Sequence, residues 1–259
     1  MPWVSLITDF GWRDPYVGQL KGAMLTQNEQ IRFIDMTHDL KAHDIVTAGW
    51  LLKNCYKDTP AGTIHVVSVL NNYNNAHSYL AFEHQGHFFV GPNNGVFSLA
   101  FEKLPIDIYE VIDESGDGYS VKKILSKIVA HLADQKPLDE LGPPVRNLIM
   151  RIHLQPVINK YMIRGSVIYI DHYENVVVNI TREQFEKARA GRPFNIYLKR
   201  NDAINTICTN YQDVAVGETL CLFNSSNFLE IAIHSGTAAS MLGLAVDEMV
   251  QIDFFNEET

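Results

Sequence analysis

Asp9 and Asp14 lie close together in Thr8-Asp9-Phe10-Gly11-Trp12-Arg13-Asp14-Pro15, a stretch that Gly11 and Pro15 mark as a turn. The apolar run from Val4 to Ile7 delivers them to that turn and a helix-like stretch follows, so the two carboxylates stand where α/β proteins hold small ligands. The competing reading is local: either aspartate could simply cap the following helix. Further polar clusters interrupt apolar runs at Asp35-Met36-Thr37-His38, His43-Asp44, Gly91-Pro92-Asn93-Asn94-Gly95, Asp171-His172-Tyr173-Glu174-Asn175 and Asn224-Ser225-Ser226-Asn227. For the Asp35–His38 and Gly91–Gly95 clusters a satisfied structural turn is as good a reading as a ligand loop, since asparagine and glycine suit left-handed backbone.

These clusters must be carried by regular elements. Short apolar runs alternate with helix-period stretches in the first half: strands near 4–8, 31–35, 63–69, 79–83 and 88–90, helices near 16–27 and 45–55. A last strand at 106–112 precedes the turn-rich segment 113–118, and Val121–Ala133 then places Val121, Ile124, Leu125, Ile128, Val129 and Leu132 on one helical face. The pattern predicts an α/β domain over residues 1–150 with a Rossmann-like layered sheet, and a linker over 151–159. Residues 160–259 change character, with strand-like runs at 164–171, 176–180, 194–198, 218–223, 229–233 and 250–254 and one short helix at 182–190. Strands at that spacing predict a small all-β, barrel-like domain.

The chain has 259 residues, 46% of them apolar, with 20% charged and a formal net charge of −9. That balance argues against a phosphate-tracking nucleic-acid surface, which needs clustered lysine and arginine. Cys55, Cys208 and Cys221 have no CxxC spacing, so they read as buried free thiols. No apolar run approaches the length of a membrane span and no basic leader opens the chain; the expectation is a cytoplasmic protein with a small-molecule partner and no membrane or nucleic-acid partner.

The blocks taken in order, Thr8–Gly22, Phe33–Asp44, Phe89–Gly95, and the pair Tyr169–Val176 with Phe223–Ala232, resemble the S-adenosyl-L-methionine (SAM) hydroxide adenosyltransferases, relatives of the SAM-dependent chlorinases and fluorinases. The resemblance covers nearly the whole chain. It implies an α/β domain followed by a β-barrel domain, assembled as a homotrimer with SAM between one subunit's first domain and a neighbour's second. It also implies displacement at the ribose C5′ by water, giving adenosine and L-methionine. No metal and no cofactor is implied, SAM itself being the substrate or ligand. By matching position, Asp9 would accept from the ribose hydroxyls, Asp14 and Asp171 would hold the methionine ammonium, and Asn175 would read the adenine edge. Ser225 and Ser226 would meet the methionine carboxylate, the Ala238 backbone would touch adenine, and His43 and Tyr173 would flank the ligand's rings.

One segment departs from the pattern. The family's Val-Asp-Pro-Gly-Val-Gly stretch and following Arg supply an acid and an arginine that handle the water with a later histidine; here Leu70 stands at the acid and His77 at the arginine. The family's Phe-His-Gly-Arg-Asp-like segment is replaced by Gly116–Ser120, and His131 is taken as the retained histidine. Three readings stay open: a SAM hydrolase in which His77 and His131 form a substitute relay, a non-catalytic SAM or adenosine binder, and a structural trimer with a vestigial cleft.

Overall fold

The computed structural model describes residues 1–71, 78–112, 121–152, 154–198 and 203–255. The chain divides into two compact units, Met1–Ile152 and His153–Thr259.

The first unit runs β1 (Trp3–Thr8), α1 (Tyr16–Gln27), β2 (Arg32–Thr37), α2 (Ile45–Cys55), β3 (Ile64–Ser68), β4 (Ser78–His84), β5 (His87–Pro92), α3 (Val96–Ala100), β6 (Ile108–Ile112) and α4 (Val121–Ala133). The strands form one sheet in the order β2-β1-β3-β5-β4-β6. β2, β1, β3 and β5 are parallel, while β4 runs against both β5 and β6, so β6 points the same way as β1. Because chain order reverses between β1 and β3, the loops after Thr8 and after Ser68 flank the switch point of the sheet. β3 is buried throughout, as expected of a central parallel strand covered on both faces. One face packs on α1 and α4 through Leu20, Met24, Leu125, Ile128 and Val129, the other on α2 and α3 through Ala48, Leu52, Phe97 and Leu99. Gly49 permits the second contact, since a Cβ there would meet the Leu99 side chain at 2.8 Å.

Beneath α2 the core holds a polar inclusion. Ser5 Oγ bonds His65 Nδ1 at 2.6 Å, and His65 Nε2 lies 3.3 Å from His87 Nδ1. Burial, reinforced by His87, drives His65 down to about 3, and burial also lowers His87. The sign follows directly. Between the ordinary histidine value and about 3 the unfolded chain binds protons that the native state refuses, so stability is full above roughly pH 6.5 and falls as pH drops below it. For His65 alone the loss from pH 7 to pH 4.5 is on the order of 2 kcal/mol. Urea unfolding at both pH values checks this; His65→Gln is expected to flatten the dependence, and an equal slope in that variant would rule His65 out as its source.

The second unit runs β7 (Val157–Ile158), β8 (Met162–Ile170), β9 (Val176–Thr181), α5 (Arg182–Arg189), β10 (Phe194–Tyr197), β11 (Thr219–Phe223), β12 (Phe228–Ile233), α6 (Ala238–Leu242) and β13 (Met249–Phe254). The sheet is antiparallel in the order β10-β13-β8-β9-β12-β11, with β7 on β8. It curls around a core of Ile163, Val178, Phe185, Phe194, Ile231 and Ile252. No pairing joins β10 to β11 among the described residues, so the barrel-like expectation narrows to a curled open sheet. Nor is the unit all-β. α5 carries a Thr181 and Gln184 capping box, and the unforeseen α6 is a five-residue helix whose Ala238, Ala239 and Leu242 are buried. In the first unit the sequence pattern likewise overlooks α3, too short to show a helical period. Of the three cysteines, all free, only Cys221 is fully buried.

Candidate functional site

Asp9 follows the last residue of β1 at the switch point. Its carboxylate, 9% exposed, accepts the His43 backbone N–H at Oδ2 (2.9 Å), and His43 Nδ1 lies 3.9 Å away. Asp9 therefore caps nothing: α1 begins after Pro15 with no side-chain cap bond and no acid in its first turn. Among the described residues Oδ1 of Asp9 accepts no hydrogen bond, and Asp14 stands exposed in the same turn. His43 is 68% exposed and left-handed (φ 69°), a conformation that costs a non-glycine residue about 1–2 kcal/mol and here aims its amide at Asp9.

A network running from buried Thr8 and His38 out to the partly exposed Asp35 and Lys21 holds the Asp9 turn from behind. Thr8 Oγ1 bonds His38 Nδ1 at 2.8 Å, His38 Nε2 bonds Asp35 Oδ1 at 3.0 Å, and Lys21 Nζ reaches Asp35 Oδ2 at 2.6 Å. Burial raises the Asp35 carboxyl, but the bonds from Lys21 and His38 outweigh it and leave it below the usual range. As an ionised acceptor Asp35 receives a hydrogen bond from Nε2–H, so in a neutral His38 ring Nδ1 accepts from the Thr8 hydroxyl. The His38 carbonyl then accepts the Gly11 N–H at 2.7 Å, and the Trp12 ring stands edge-on to His38 at 4.6 Å. Asp35 and His38 thus form a satisfied network that places the turn, and Lys21 is part of it.

On the other side of the switch point β3 ends at Ser68, and Val69 and Leu70 follow it. Leu70 is left-handed (φ 49°) and half-buried, a backbone state in which aspartate and asparagine are several-fold enriched over leucine. Asn94 Nδ2 bonds the carbonyls of Val69 and Leu70, and its Oδ1 accepts from Val96 N. Asn93 bonds the carbonyl of Asn147 and the amide of Ile149. In the Gly91–Gly95 cluster both side-chain amides are thus spent on the protein itself, Asn94 fixing the residues after β3 and Asn93 the segment 147–149.

His131 is not brought to this place. β6 points the same way as β1, so Ile112 and the start of α4 stand at the edge that carries Asp9 and Leu70, and α4 runs back toward the opposite edge. His131 sits ten residues after Val121, which at the α-helical rise is about 15 Å along the helix. Its Nε2 bonds the Pro137 carbonyl at 2.7 Å, closing the turn after the helix. Leu132 and Ala133 line a hollow with Trp3, Ile64 and Phe88, the starts of β1, β3 and β5. The His131 ring is thus engaged in a helix-terminal tie. His77 lies outside the described residues. Gly116–Ser120, the segment that departs from the Phe-His-Gly-Arg-Asp-like pattern, also lies outside them and contains no histidine.

In the second unit Asp171–Asn175 is the tight loop joining β8 to β9. Asp171 Oδ1 accepts Asn175 N at 2.8 Å and its Oδ2 accepts Asn175 Nδ2 at 3.0 Å. Asn175 is thereby oriented with its Oδ1 and second amide proton uncommitted among the described residues. Tyr173 is 73% exposed at the tip. Glu174 connects this loop to α6: its carbonyl accepts Ala239 N at 3.0 Å and its Oε2 accepts Ser240 N at 2.9 Å. Asn175 and Ala238 are therefore held side by side. Ser225 and Ser226 lie in the four-residue turn between β11 and β12, Ser225 exposed and Ser226 bonded through its N–H to Asn224 Oδ1.

That turn is tied to a group the sequence reading missed. Glu230 is 5% exposed on β12 and accepts from Tyr211 Oη at 2.6 Å and Asn224 Nδ2 at 3.2 Å. Burial, the Glu230 bond and the nearby Asp171 charge all raise the Tyr211 phenol, which stays protonated as donor. Burial and Asp171 raise Tyr169 in the same way. A carboxylate inside the apolar run Leu229–Ile233 is the signal that could have revealed Glu230. Among the described residues no group of three His, Cys, Asp or Glu side chains could hold a metal ion, and no helix is long and apolar enough to cross a membrane.

Residues 4–142 match the SAM hydroxide adenosyltransferase N-terminal domain and residues 165–251 its C-terminal domain. The chain belongs to the SAM hydroxide adenosyltransferase family. Relatives of the chain include a protein of Salinispora tropica named (R)-S-adenosyl-L-methionine hydrolase, 25% identical over 97% of each chain. One of the same name from Methanocaldococcus jannaschii is 24% identical, covering 96% of this chain and 95% of its own. A fluorinase of Actinoplanes is 21% identical, covering 92% and 93%. The fold matches the crystal structure of an uncharacterized conserved protein from Thermotoga maritima with a TM-score of 0.84 at 24% identity, covering 96% of this chain and 99% of that one.

Proposed function

We propose that this chain hydrolyses SAM by displacement at the ribose C5′. A water oxygen bonds C5′, the C5′–S bond breaks with its electron pair passing to sulfur, and adenosine, L-methionine and a proton leave. The sulfonium is a good leaving group from the outset, so the protein's work is to hold both ends of the ligand and align a partly desolvated water behind C5′. The observation that carries the reading is Asp9: an almost buried carboxylate at the switch point, capping no helix, pre-oriented through His43 N, with its second oxygen open for a ribose diol. Asp14 in the same turn and Asp171 take the methionine ammonium, Asn175 and the Ala238 backbone take adenine, Ser225 and Ser226 take the methionine carboxylate, and His43 and Tyr173 flank the rings. Chromatography of a SAM incubation for adenosine and methionine tests it; neither product above the protein-free blank would sink it.

The proposal includes a homotrimer in the cytoplasm, SAM lying where the first unit of one subunit meets the second unit of its neighbour. What supports this is the division of ligand-matching residues between two separately folded units, each holding half a set. A closed cyclic oligomer then carries three equivalent sites. Light scattering on the eluted protein is expected to give three times the 29.3 kDa chain mass; a monomer at micromolar concentration would remove the intersubunit site.

A further inference from the structure

We propose that Glu174 is a positioning residue that locks together the two elements assigned to adenine, the Asp171–Asn175 loop and the start of α6, and so sets affinity for the adenosyl end of the ligand. The proposal rests on the assignment of Asn175 and Ala238 made above.

Glu174 is left-handed (φ 63°), a state that glycine adopts freely and a glutamate does not. The loop needs that state, because Glu174 N donates to the Asp171 carbonyl at 3.0 Å while Asp171 and Asn175 exchange their own bonds around it. Glycine would meet the backbone requirement with less strain, and what glutamate adds is its carboxylate. Oε2 accepts Ser240 N at 2.9 Å, alongside the Ala239 N–H on the Glu174 carbonyl. The Ser240 bonds also hold the Glu174 carboxyl below its ordinary value, so it is ionised as acceptor. Ala238 precedes Ala239 directly and Asn175 follows Glu174 directly. The two bonds that Glu174 accepts from α6 therefore constrain the spacing between the Asn175 amide and the Ala238 backbone. A planar base read from two sides loses hydrogen bonds to either side when that spacing drifts.

Three measurements on the full chain test this. In the ligand-free protein, amide exchange at Ala239 and Ser240 is expected to quicken in Glu174→Gly and stay near the unmodified rate in Glu174→Gln, whose amide oxygen still accepts. Calorimetry is expected to show adenosine bound about 10-fold more weakly by Glu174→Gly and within about threefold by Glu174→Gln. The unfolding temperature of Glu174→Gly is expected to be unchanged or higher, because strain is relieved, which separates positioning from general destabilisation. Unmodified affinity in Glu174→Gly, or unmodified exchange at α6, would overturn the proposal while leaving the functional reading intact. Failure of the unmodified chain to bind adenosine at all would instead overturn the functional reading, and the adenosyl-affinity role with it.

Discussion

The double variant Leu70→Asp/His77→Arg is expected to release adenosine and methionine from SAM about 100-fold faster than the unmodified chain, with KM for SAM changed less than threefold. The figure is the lower end of the about 10²–10⁴-fold that a positioned acid–base group contributes. The lower end applies because the double variant restores only the acid and the arginine, while His131 stands at the far edge of the sheet on Pro137. The backbone is ready for the change. Leu70 occupies a left-handed position that aspartate tolerates better, and Asn94 fixes its carbonyl whatever the side chain. It also follows that the unmodified chain turns SAM over slowly and that His131→Ala leaves the rate alone. A fast unmodified chain, or one stopped by His131→Ala, would show that the end of β3 does not handle the water.

Asp9→Ala is expected to weaken adenosine and SAM alike, by the 1–3 kcal/mol typical of hydrogen bonds to a charged acceptor, or about 5- to 150-fold in Kd. The variant removes the one oxygen open to a diol and leaves the His43 amide without its acceptor. Asp14→Ala is expected to weaken SAM by about 10-fold and to leave adenosine within about twofold, because only SAM carries the ammonium. Calorimetry with both ligands on both variants reads the pattern directly. Equal losses at Asp14 for the two ligands would detach it from the ammonium, and an unaffected Asp9→Ala would move the ribose elsewhere.

The elements that form by local period were legible. α1, α2 and α4 have apolar stripes long enough to show a helical repeat, and their bounds match the pattern at both ends. The turn at Asp9 was legible for the same reason, since a buried strand followed by Gly11 and Pro15 leaves little choice of where the chain must bend. α3 and α6 were not, because five residues give no period and their apolar faces are set by what they pack against. His131 shows that a match along the chain carries no distance: ten residues of helix separate it from Val121 at the start of α4. Glu174 gave no sequence signal at all. Its role depends on a left-handed backbone and on an amide 66 positions away.

The most direct test of the account is an incubation of the full chain with SAM in water enriched in oxygen-18, with products read by mass spectrometry. Displacement at C5′ predicts adenosine carrying one labelled oxygen and methionine carrying none, accumulating in equal amounts. Adenosine without the label, or no adenosine and methionine above the protein-free control, would contradict it.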